Sequence, residues 1–374
     1  MMTKNQINER EQLEILTIEQ LVPANHLVRK LDAAIDFSFI YPLVENLYAQ
    51  FGRPSIDPVV LFKMAMIQYV FGIRSMRQTI KEIETNVAYR WFLGFGFHTE
   101  VPHFSTFGKN YVRRFENTDV FEQIFYRILK EIADEGLLSA DHIFIDSTHV
   151  KASANKRKFD KKMVRKETRA YEAKLQEELN IDREKNGKKP FPKEKFEREE
   201  FKEIKESTTD PESGYYVKDE RTKQFAYSFH AATDERGFVL GAIVTPGNIH
   251  DSHILQPLVE KVIEKVKKPL AVAADAAYKT PAITNFLLEN QMLPVLPYTR
   301  PKTKDGFFRK HDYVYDEHND CYICPNDQML PYVTTTKEGY RQFKSNPTIC
   351  ANCPFLQQCT ESKNHTKLIQ RHIW

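Results

Sequence analysis

A change of hydrophobic period at about Asp141 constrains this chain more than any other feature. Before it, apolar residues recur at helical spacing; after it they alternate, or run together over short stretches bounded by turn residues. "HIFIDSTHV" reads as a strand, and "KQFAYSFHAATDERGFVLGAIVTPG" as two more joined in a hairpin at Asp234, Glu235, Arg236 and Gly237. "NIHDSHILQPLVEKVIEKV" then gives an amphipathic helix capped by Asp251 or Ser252, with Ile254, Leu255, Leu258, Val259 and Ile263 on its apolar side. "PLAVAADAAY" is a short small-residue strand ending at Asp275, Thr280 and Pro281 open the helix "PAITNFLLENQ", and "LPVLPY" is a further strand. The order is therefore β, β-hairpin, α, β, α, β.

Residues 1–138 are predicted to form a compact helical domain with a helix-turn-helix flavour. Asp57 and Pro58 start one helix, with Val59, Leu61, Phe62, Met66, Tyr69 and Val70 on its apolar side; Ser75 caps a second; Ser105 or Thr106 caps a third. The third carries Lys109, Arg113 and Arg114 on its polar side, which suits either a DNA-facing helix or an ordinary solvated one. A charged insert, about 155–206, separates the first strand from the hairpin and reads as a solvated helical excursion or a partly disordered segment. Its leading end is strongly basic, with Lys156, Arg157, Lys158, Lys161, Lys162, Arg165 and Lys166. Such a block suits phosphate contacts.

Whole-chain charge says little about partners, since +3 over 374 residues does not by itself argue for a polyanion. No stretch is apolar for long enough to span a membrane, and "MMTKNQINEREQ" lacks the apolar run of a secretion signal, so a cytoplasmic protein is expected. Four of the five cysteines form two close pairs, Cys321 with Cys324 and Cys350 with Cys353, in the segment 301–374. In a reducing compartment such pairs suit Zn²⁺, with Cys359, His318, His365 and His372 nearby; four reduced thiols in a β-rich lobe is the alternative.

Asp146 interrupts an apolar, β-branched strand, which suggests either a surface-turned Asp on a half-exposed strand or a buried, metal-binding carboxylate. If the crossover helix returns the chain parallel to the first strand, Asp146 and Asp275 reach one edge of a sheet. Two close carboxylates repel unless a cation sits between them, and hard divalent ions prefer oxygen ligands.

This order, with "IDSTHVKASANK", "STTDPESGYYVKDERTKQFAYSFHAATD", "GNIHDS" and "AADAAYKT", resembles the bacterial insertion-sequence DDE transposases. "GRPSIDPVVLFKMAMIQYVFGIRSMRQ" and "VPHFSTFGKNYVRRF" are similar to the InsH-like amino-terminal domain of that group. The resemblance implies an α+β chain: a helical DNA-binding domain (1–138), an RNase H-like α/β core of order βββαβαβ (139–300) with the charged insert, and a small cysteine-containing lobe (301–374). It implies double-stranded DNA at transposon ends and target as the partner, a homo-oligomer on DNA, and Mg²⁺ or Mn²⁺ held by Asp146, Asp275 and a glutamate. The glutamate of that family follows the last strand; here the cysteine-containing segment comes next, and Glu289 lies between the fourth and fifth strands. The expectation is a chain truncated before that glutamate, with an apolar patch left beside the two aspartates. Such a chain binds DNA without cleaving or joining it, as a competitor or assembly partner. Another RNase H-like nuclease fits the strand order but not the amino-terminal domain.

Overall fold

The computed structural model describes residues 13–49, 51–52, 54–165, 172–192, 201–298 and 302–374. The chain divides into two units, Met1–Asp134 and Glu135–Trp374.

The first unit is helical: α1 (Ile18–Leu21), α2 (Leu27–Ala34), α3 (Ile40–Val44), α4 (Pro58–Val70), α5 (Met76–Thr85), α6 (Val87–Phe92), α7 (Phe104–Asn110) and α8 (Val120–Asp134). Asp57 caps α4 by accepting the Val59 amide at 2.8 Å, and Ser75 caps α5 by accepting that of Gln78 at 3.2 Å. α4 buries Leu61, Phe62, Met64 and Ile67, whereas Tyr69 is exposed. The helix is apolar nearly all round, so periodicity alone did not single out its inner face. α7 begins earlier than expected: the His103 ring, not Ser105 or Thr106, accepts the first free amide, that of Ser105. A π-helical turn, Tyr111–Phe115, continues it.

In the second unit the main sheet comprises β1 (His142–Lys151), β2 (Phe159–Arg165), β3 (Phe201–Ser207), β4 (Gly214–Val217), β5 (Lys223–Thr233), β6 (Val239–Pro246), β7 (Ala271–Ala274) and β8 (Leu293–Val295). Their order is β2-β3-β4-β5-β1-β7-β8, with β6 also on β5. One edge of β5 is shared, its start pairing with β4 and its remainder with β6, while β1 occupies the other edge. The β5–β6 turn is held by buried Asp234, which accepts the amides of Arg236 and Phe238, and Gly237 takes a left-handed φ of 87°. β1 is antiparallel to β5 but parallel to β7, and β7 is parallel to β8. The crossovers are α10 (Leu255–Lys265) and α11 (Pro281–Glu289). Leu255, Leu258, Val259 and Val262 of α10 and Ile283 and Leu287 of α11 share one core with Ile143, Ile145, Leu240 and Val272. By strand alternation the opposite face carries Phe144, Asp146 and Thr148. It leaves Phe144, Val244, Leu293 and Val295 exposed.

The charged insert departs from the expected solvated helix. Its start and end pair as β2 and β3 and extend the sheet, and among the described residues between them the helix is α9 (Glu172–Lys185). α9 packs on a second, five-stranded sheet ordered β13-β12-β11-β10-β9, built from β9 (Val314–Asp316), β10 (Cys321–Ile323), β11 (Met329–Thr335), β12 (Tyr340–Lys344) and β13 (Leu368–His372). Tyr313, Tyr322, Leu330, Phe343 and Ile369 form that lobe's core, and α12 (Pro347–Ala351) and α13 (Leu356–Cys359) lie between β12 and β13 in sequence. Leu179 of α9 is fully buried, Arg183 donates to the Thr335 carbonyl at 2.8 Å, and Asp182 accepts the Thr335 hydroxyl at 2.6 Å and pairs with Arg341 at 3.1 Å. Lys174 at the other end reaches Glu289 of α11 at 2.6 Å.

Candidate functional site

Ile145 of β1 pairs with Ala274 of β7 in parallel register, so Asp146 and Asp275 each stand one residue further along neighbouring strands. Both are exposed, which corrects the buried reading of Asp146 and matches the surface-turned one. Ile143 and Ile145 point into the core, and alternation turns Asp146 to the open face. One oxygen of each carboxylate is fixed by the backbone: Asp146 accepts the Ser147 amide at 2.8 Å and Asp275 the Ala277 amide at 2.9 Å. Among the described residues neither has an ion-pair partner. Two hard oxygen donors side by side without a compensating cation fit a divalent metal ion. Among the described residues no three His, Cys, Asp or Glu side chains converge closely enough to hold an ion.

Behind this pair lies a polar network that the sequence did not disclose. Ser147 donates to Asp251 at 3.0 Å. The wholly buried His230 of β5 meets the Tyr278 hydroxyl through Nδ1 at 2.9 Å and Thr245 through Nε2 at 3.2 Å, and its Nδ1 lies 4.0 Å from Asp251. Burial pushes the His230 pKa down, against the upward pull of Asp251. Burial likewise pushes the Tyr278 phenol up; Ser147 opposes this by hydrogen bonding, and Asp251, Asp275 and Asp146 add to it by their charge. Three carboxylates thus act on one hydroxyl. The available signal was His230, a polar residue at an inward position of "AYSFHAAT".

The basic residues fall into distinct settings. Lys109 and Arg113 are exposed and line a shallow hollow with Ser105, Gly108 and Val112. Arg114 is half-buried, donates to Asn110 and stacks over the Tyr48 ring at 4.4 Å, so it is largely committed within its own unit. Lys156, Arg157 and Lys158 are exposed in the turn after β1. Lys161 and Lys162 sit on β2, paired with Glu203 and Glu206 at 2.9 Å each. Arg165 ends β2; its side chain and all of Lys166 lie outside the described residues.

Glu289 pairs with Lys174, which holds its pKa below the ordinary carboxylate value. All five cysteines are free thiols. Among the described residues Cys321, Cys324, Cys350 and Cys353 do not form a group of three or more side chains that could hold an ion. Cys321 is buried in β10, where burial and then the charges of Asp316 and Asp320 push its thiol up. Cys359 lies 3.2 Å from the Tyr313 hydroxyl and is influenced by Cys350 and Cys324. His372 contacts Glu338 and Trp374.

Three family models match the chain: a transposase domain (DUF772) over residues 16–113, a transposase DDE domain over residues 138–342, and a second transposase DDE domain over residues 323–374. No curated protein and no solved structure matches it.

Proposed function

The chain belongs to the DDE transposase family, and from that premise we propose that it binds double-stranded DNA through its amino-terminal unit and the turn after β1. Asp146 and Asp275 would hold Mg²⁺ or Mn²⁺. The observation that supports this reading is the Ile145–Ala274 pair, after which Asp146 and Asp275 are the next residues of neighbouring strands, neither paired with a Lys or Arg among the described residues. When bound, such ions activate an attacking oxygen and stabilise a leaving one in phosphodiester chemistry. The protein's own part is positional. The Ser147 and Ala277 amides orient one oxygen of each aspartate and leave the other for a ligand, and exposed Lys109, Arg113, Lys156, Arg157 and Lys158 neutralise backbone phosphates.

Cleavage needs a third carboxylate. Glu289 sits on α11 paired with Lys174, which weighs against its supplying it. Among the described residues no third carboxylate joins the pair closely enough to hold an ion, and we therefore read this chain, by itself, as a DNA binder that leaves strands intact, since a metal site would need that further ligand to place an attacking oxygen. The match over residues 16–113 weighs against an unrelated RNase H-like nuclease. A gel-shift titration combined with a strand-cleavage assay in Mn²⁺ tests the reading. Binding without cleavage supports it. Metal-dependent cleavage abolished by Asp146→Ala would show that another residue completes the site, and no binding at low salt would remove the DNA partner.

A further inference from the structure

β7 ends at Ala274, so beyond the Ile145–Ala274 pair β1 loses its neighbour on one edge just where Asp146 and Ser147 lie. The other edge stays paired with β5, Asp146 opposite Ala231 and Ser147 opposite His230, so only the β7 side is open to side-chain contacts here. Asp251 stands where the chain leaves β6, at the start of the 3-10 turn Asp251–His253. A carboxylate there would ordinarily cap the turn, but the His250 ring accepts the Ser252 amide instead. The Asp251 side chain turns inward to 16% exposure, and among the described residues no Lys or Arg pairs with it. A carboxylate so placed is costly unless hydrogen bonds compensate. Its compensation is the Ser147 hydroxyl at 3.0 Å. Ser147 therefore joins two carboxylates, giving its hydroxyl to Asp251 and its amide, at 2.8 Å, to Asp146. The wholly buried His230 and Tyr278 wall this contact from behind.

We infer that Asp251 is a positioning residue, which anchors the Ser147 side chain where the β7 edge of β1 opens and thereby sets the orientation of the Asp146 carboxylate toward a divalent ion. The inference rests on the metal-holding role proposed for Asp146. Outer partners that orient metal-binding side chains typically change metal affinity by about 10- to 100-fold when removed.

The test is Mn²⁺ binding to the purified full chain, followed by calorimetry and by the Mn²⁺ paramagnetic signal, with metal-free thermal melts alongside. Asp251→Ala and Ser147→Ala are each expected to weaken Mn²⁺ binding by about tenfold or more. The double variant is expected to be no weaker than either single one, and Asp251→Asn, which keeps an acceptor for the Ser147 hydroxyl, to stay within about threefold of the parent. If Asp251→Asn loses as much as Asp251→Ala while Ser147→Ala binds normally, Asp251 is itself a ligand and the inference falls. Variants that lower the metal-free melting temperature but leave Mn²⁺ affinity unchanged would reduce Asp251 to a structural residue. A parent chain whose Mn²⁺ binding is indifferent to Asp146→Ala would instead refute the metal-holding role itself, which separates the two failures.

Discussion

Asp146 and Asp275 stand side by side because Ile145 and Ala274, the residues before them, are parallel-strand partners. Their proximity is a property of register: a one-residue slip of β7 against β1 would turn one of them to the other face.

Two like charges on neighbouring strands repel, and on the proposed reading a bound divalent ion would relieve that repulsion. Asp275→Asn is expected to leave the metal-free melting temperature unchanged or raise it, and to weaken Mn²⁺ binding by at least about tenfold. Melts in chelator and a Mn²⁺ titration check both halves; a lower metal-free melting temperature would mean the carboxylate is structural.

DNA affinity should fall steeply with salt, with each phosphate contact contributing about 0.9 to the logarithmic slope. Replacing Lys156, Arg157 and Lys158 together by Ala is expected to flatten the slope more than replacing Lys161 and Lys162, because the latter already pair with Glu203 and Glu206. Fluorescence-anisotropy titrations across salt concentrations give the ranking.

Gly214 is required by space. A Cβ there would lie 2.2 Å from the Asn248 side-chain oxygen and 2.6 Å from the amides of Asn248 and Gly247. Gly214→Ala is expected to cost about 1–3 kcal/mol, as for other overpacked sites, read as a lower urea midpoint with an unchanged slope.

Acid should weaken the carboxyl-terminal sheet. His372 accepts the Trp374 amide at Nδ1 and meets the Glu338 carbonyl through Nε2, and burial holds its pKa below the ordinary 6.5. The unfolded chain then takes up the proton more readily than the folded one. Its stabilising effect is complete above that ordinary value and is lost as pH falls below it toward the lowered folded value. Urea midpoints at about pH 7.5 and about pH 5.5 should differ less in His372→Gln than in the parent.

Asp182 and Arg341 form a largely buried ion pair, each side chain 13% exposed, between α9 and β12. Breaking such a pair by removing one partner typically costs about 3 kcal/mol or more. Asp182→Ala should approach that loss in thermal melts, less whatever Asp320, 2.5 Å from the same guanidinium, retains.

The core was legible because each strand carried its own period and each crossover helix its own stripe; the hairpin at Asp234 and the start of α11 at Thr280 and Pro281 fall where turn chemistry puts them. What misled was polarity. "FDKKMVR" and "FKEIKES" alternate too little apolar surface to read as strands, yet Lys161 and Lys162 find Glu203 and Glu206 across the ladder, a pairing distant in sequence. Asp251 and Ser252 are the expected caps of the helix because both are common caps, but a 3-10 turn capped by His250 intervenes, and α10 itself starts at Leu255 with no side-chain cap from Ile254. The aspartates were found by joint position on neighbouring strands; the network behind them depends on His230 and Tyr278, which only tertiary packing brings together.

The docking of α9 also sets a timetable for synthesis. Asp182 bonds Thr335, a residue 153 positions later in the chain. At about 5–20 residues per second, the ribosome takes on the order of ten seconds or more to deliver that partner. During this interval Leu179, fully buried in the finished protein, faces solvent on a helix too short and too polar to hold itself together. The nascent chain is therefore open to proteases and chaperones at α9 until β11 and β12 emerge.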